Sequence, residues 1–180
     1  MSADDIAALT LADAAEKIAG REISSLEATE AALDRIDRYG EKLHAIVHCD
    51  EEAALAGARK ADEELASGNV RGPLHGVPLA HKDMYYRAGW TAACGSNILA
   101  GFVPDVTSTA IQRLDAAGAL DIARLNMVEF AFGPTGHNEV VGTPRNPWNT
   151  DYITGGSSSG SGASVAGRLV YGALGSDTGG

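Results

Sequence analysis

Basic residues are scarce in this 180-residue chain, where 14 Lys and Arg stand against 24 Asp and Glu for a formal charge of −10. A balance this acidic excludes a binder of phosphate backbones. Cysteine is scarcer still: Cys49 and Cys94 are the only two. They form neither a CxxC pair nor a disulfide framework, so a reducing, cytoplasmic setting is expected. No run of 18 apolar residues is present, and no transmembrane helix is expected. Residues 1–6 have neither the basic start nor the apolar core of a signal peptide. Glycine, in contrast, is plentiful, at 22 residues or about 12% of the chain against the ~7% of average proteins. With 44% apolar content this is a globular domain or part of a larger one. Membrane, secreted and DNA-binding classes are excluded; composition alone names no function.

Charge and glycine are unevenly placed. Residues 1–70 hold 16 acidic and 7 basic side chains, a net of −9, whereas residues 71–180 hold 8 and 7, a net of −1. Nine glycines fall in the last 26 residues. The acidic front predicts helices. Thr10 caps a helix over 11–19 that Gly20 stops, and Ser24 with Glu27 makes a capping box for a helix reaching Gly40. Asp50 opens a third helix that runs to Ser67, with Gly68 past its end. The acid itself is expected to be solvated helix surface rather than a docking face. Beyond Pro73, the run GVPLAHKD (76–83) predicts a buried strand, 107–117 a helix and 119–125 a second strand, in which Asp121 is an awkward lone carboxylate. Residues 133–157, rich in Gly and Pro, predict a long ordered loop. The Gly/Ser stretch 155–162 then leads into a small-residue helix through Val170. Strands alternating with helices predict an α/β fold with a helix-covered sheet.

The stretch GGSSSGSG (155–162) has several chemical readings. A P-loop needs a lysine after its last glycine, and none follows Gly160 or Gly162. A nucleophile elbow matches at Gly156-x-Ser158-x-Gly160, but its histidine must follow the serine and the last one here, His137, precedes it. A helix cap and a Gly/Ser linker remain, as does a turn whose serines act with a lysine. Lys82, at the end of an apolar run, is the candidate: desolvation would lower its pKa toward the range of a base. An ion pair with Asp83 is the plain alternative, weakened because neighbours in a strand point to opposite faces.

Taken together, GVPLAHKD (76–83), NMVEFAFG (126–133), GTPRNPW (142–148), the stretch 155–166 and GSDTGG (175–180) resemble, in that order, the motifs of the amidase signature family of serine hydrolases. The resemblance implies a mixed β-sheet core covered by helices, of which this chain is the N-terminal portion: residues 1–70 a helical segment packing on the core, residues 71–180 the first part of the core, truncated at its C-terminal end. It also implies a Ser–Ser–Lys triad. Lys82 matches the base, and Ser157, expected after a cis peptide, matches the serine that relays protons. Thr178, Gly179 and Gly180 match the oxyanion-hole turn, and Ser176 the hydroxyl supporting Ser157. Met127 and His137 are candidates for the substrate pocket. The nucleophilic serine is expected directly after Gly180, so the chain as given is expected to be inactive. His81, Met84 and Ser159 depart from the usual pattern; His81 is expected to be packed, and Trp90 and Trp148 to be core or loop anchors.

The implied activity is hydrolysis of a small-molecule carboxamide to acid plus ammonia, with no cofactor and no metal. No nucleic acid is bound directly and no membrane is involved; a homodimer is one assembly. The alternatives are the glutaminase component of a tRNA-dependent amidotransferase, with the other amidotransferase subunits as partners, and a truncated, non-catalytic binding product.

Overall fold

The computed structural model describes residues 1–178. Its helices start where the sequence offers side-chain acceptors to free backbone N–H groups. Reciprocal capping boxes open α1 (Ala3–Ala7), α2 (Leu11–Ala19) and α3 (Ser25–Leu43), pairing Ser2 with Asp5, Thr10 with Asp13 and Ser24 with Glu27. Asp50 caps α4 (Glu51–Ala66) through the Ala53 N–H. Helix α3 continues through Gly40 and ends at His44, whose left-handed backbone turns the chain into β1 (Ile46–Cys49). The sequence pattern predicts neither α1 nor β1, since one is five residues long and the other four.

The strands β2 (Pro78–Lys82) and β3 (Leu120–Leu125) follow, with α5 (Thr109–Ala116) between them. Helix α6 (Ser159–Ala166) begins inside the Gly/Ser stretch and ends short of Val170, followed by the two-residue β4 (Ala173–Leu174). The four strands form one mixed sheet in the order β1-β3-β2-β4, with β1 antiparallel to β3 and the other three parallel. All of β2 is buried. Helices α3 and α4 cover one face through Ala32, Leu33, Ala54 and Ala58, packed on Ala80, Ile122, Ala123 and Leu125. A second cluster joins α1, α2 and the start of α3 to Val77, Leu79 and Tyr171.

Asp121 is satisfied rather than lone. Its carboxylate accepts from Arg87 Nε at 2.6 Å and Arg124 Nη1 at 2.8 Å, and Arg87 reaches on to Asp115. The Arg124 guanidinium lies over the Trp90 ring, 4.5 Å from its centroid. Trp90 therefore is an anchor, as expected. Trp148 is not: it is 89% exposed on its loop.

Candidate active site

Parallel strands leave their carboxyl ends open to loops, which is where ligands bind in such sheets. Three of these ends converge here. Lys82 is the last residue of β2 and has no exposed surface. Ser176 lies two residues beyond β4, and the segment after β3, residues 126–131, supports the turn at 156–158. That turn contains a cis peptide between Gly156 and Ser157. Val128 N–H donates to Ser157 O at 3.1 Å, and Gly160 N–H to Asn126 O at 2.9 Å. Two glycines permit the approach. A Cβ on Gly156 would stand 2.6 Å from Gly136 N, and one on Gly160 would run into the backbone of Asn126 and Ala45.

The Lys82 ammonium sits among three hydroxyls: Ser157 Oγ at 2.6 Å, Ser176 Oγ at 2.7 Å and Ser158 Oγ at 3.1 Å. Burial pushes the Lys82 pKa down from its ordinary value, opposed by the Asp177 carboxylate. Among the described residues Lys82 has no ion pair with Asp83. The Asp83 carboxylate turns away and accepts from Gly95 N at 3.3 Å, and burial raises its pKa. Burial and Asp83 also push the Cys94 thiol up, so it stays protonated at neutral pH. His81 is buried and neutral, its pKa lowered to about 4 by desolvation, and its Nδ1 accepts from Leu174 N at 3.3 Å.

Ser157 and Ser176 open onto a cavity of about 440 Å³, walled by residues 131–134 and bounded by Asp177 and Thr178. The Phe132 ring on this wall is 92% exposed. Lys82, Ser157, Ser176 and Thr178 thus gather at one place, while Gly179 and Gly180 lie outside the described residues. Met127 and His137 do not join them. Met127 is fully buried, and His137 is exposed, its ring against Thr143 Oγ1 at 3.1 Å and Glu139 at 3.4 Å. Three contacts are not assigned by the sequence: that of Ser158 with Lys82, that of the Met84 thioether with Ser176 at 3.2 Å, and that of the Tyr85 hydroxyl, which donates to Gly175 O. Each depends on how the strand ends meet.

A lysine without exposed surface, ringed by serine hydroxyls at the carboxyl ends of a mixed sheet, defines an α/β protein with a serine–lysine site. The Amidase family model matches residues 27–180, and the chain belongs to the amidase signature family. A component of the glutamyl-tRNA(Gln) amidotransferase of Methylococcus capsulatus is 47% identical over 171 residues, covering 95% of this chain and 35% of its own length. A solved amidase superposes with a TM-score of 0.89 at 37% identity, over 95% of this chain and 39% of that one. A fatty acid amide hydrolase superposes with a TM-score of 0.93 at 27% identity, over 99% of this chain and 32% of that one. The chain spans about 35% of the length of the curated relatives it matches. Among the described residues no helix is long and apolar enough to cross a membrane, and no group of His, Cys, Asp and Glu could hold a metal ion.

Proposed function

We propose that this chain is the N-terminal part of an amidase that hydrolyses a carboxamide C–N bond to a carboxylic acid and ammonia. The observation that carries the reading is the convergence of Ser157 and Ser176 on the desolvated Lys82 ammonium nitrogen. Neutral Lys82 takes the proton of Ser157 as Ser157 takes the proton of a nucleophilic serine, which the family pattern places after Gly180. The nucleophile oxygen adds to the amide carbon, and the family pattern assigns stabilisation of the oxyanion to the turn that begins at Thr178. The proton returns through Ser157 to the leaving nitrogen, the C–N bond breaks, ammonia departs, and water hydrolyses the acyl-enzyme. Residues 1–180 by themselves contain the base and the relay but not that nucleophile, and form no acyl-enzyme.

A second reading is favoured by one observation, the 47% identity to a protein named as a component of an amidotransferase. In it the same site is a glutaminase whose ammonia passes to a partner. Assaying ammonia release by the full-length protein separates the two. Release from simple carboxamides without partners supports the free-standing amidase. Release confined to glutamine, and dependent on partner subunits and charged tRNA, supports the second reading. Absence of release in both assays would overturn both.

A further inference from the structure

The hydrogens around Lys82 can be counted. Ser158 Oγ has one proton and two lone pairs. It accepts from Ser176 N at 3.0 Å and lies 3.2 Å from Ser176 O, which can only accept. Its proton therefore goes to that carbonyl, and its second lone pair takes an N–H of Lys82 at 3.1 Å. Ser176 Oγ has a different neighbour, the Met84 thioether sulfur at 3.2 Å. A thioether only accepts, so the Ser176 proton goes there and its oxygen takes a second N–H of Lys82 at 2.7 Å. A neutral lysine has two N–H groups and one lone pair. With both N–H groups committed, the lone pair faces Ser157 Oγ at 2.6 Å.

The Ser158 half of this arrangement is held by two backbone groups. Among the described residues, the Ser176 half is held by sulfur alone, a weak acceptor. Without it the Ser176 hydroxyl would be free to turn and donate to Lys82, engaging the lone pair that Ser157 needs. We propose that Met84 is a positioning residue that, through Ser176, directs the lone pair of neutral Lys82 onto Ser157. This rests on the reading of Lys82 as the base.

The test is a double-mutant cycle in the full-length protein, with ammonia release as readout. Met84→Leu keeps the volume and removes the acceptor. It is expected to lower kcat about fivefold, the worth of one modest hydrogen bond, with KM unchanged. Met84→Asn, which restores an acceptor oxygen at the δ position, is expected to recover kcat. In a Ser176→Ala background, where no hydroxyl is left to turn, Met84→Leu is expected to cost nothing further. A packing defect would instead add its loss in both backgrounds. Additive losses, an unchanged kcat in Met84→Leu, or failure of Met84→Asn to recover would each overturn the inference while Lys82-dependent hydrolysis stood. A wild-type protein without such hydrolysis would overturn the amidase reading and this inference with it.

Discussion

Lys82 shows how one residue's surroundings set its chemistry. Its amine is withdrawn from water and given hydroxyl partners, so the neutral form is reached below the ordinary value of 10.5. Burial is the first cause and Asp177 the counterweight. If neutral Lys82 is the base, kcat/KM should rise with pH and level off above a pKa lower than 10.5. A pH–rate profile on an amide substrate checks this, and a flat profile across the titration would count against it. The same shift acts on stability. Between the lowered folded pKa and the unfolded one, the unfolded chain binds more protons, so stability should increase with pH in that window. At this scale the sequence is informative: a lysine ending an apolar run, and serines flanked by glycine, are local features. The contacts of Ser158 with Lys82, of Met84 with Ser176 and of Tyr85 with Gly175 are not legible there, because they form only where three strand ends meet.

Elements are legible wherever a cap or a period marks them. Thr10, Ser24 and Asp50 each cap the helix that their spacing predicts. The short elements α1 and β1 are not, being too brief to show a period. Helix α3 overruns Gly40 because, on average, one interior glycine costs only about 1 kcal/mol and the residues on either side, Ile36 and Leu43, are held by packing with Ala163 and Leu169. Asp121 in β3 looks like a liability in the sequence and is instead the centre of a buried ion cluster with Arg87 and Arg124. Removing one member would leave Arg124, 1% exposed, uncompensated. Asp121→Ala should therefore destabilise the fold by about 3–5 kcal/mol, read as a lowered midpoint in urea. A change of under about 1 kcal/mol, the scale of an exposed pair, would contradict this.

At the scale of the whole molecule, the mixed sheet places the ends of β2 and β4 side by side and brings residues 75 to 94 positions apart in the chain into contact. The acidic surplus lies in residues 1–70, which form the front helices. Glycine is concentrated at the turns where backbone must approach backbone, as at Gly156 and Gly160. If the nucleophile is the serine proposed to follow Gly180, a fluorophosphonate serine probe should label the full-length protein there and leave Ser157 and Ser158 unmodified. An adduct on Ser157 or Ser158 would revive the elbow reading of 156–160. The central claim is that Lys82, acting through Ser157, drives amide hydrolysis, and it is tested most directly by the turnover of Lys82→Ala in the full-length protein. Loss of the base is expected to lower kcat by about 10²–10⁴-fold with the melting temperature held near wild type. Turnover close to wild type, or a loss accounted for entirely by unfolding, would contradict it.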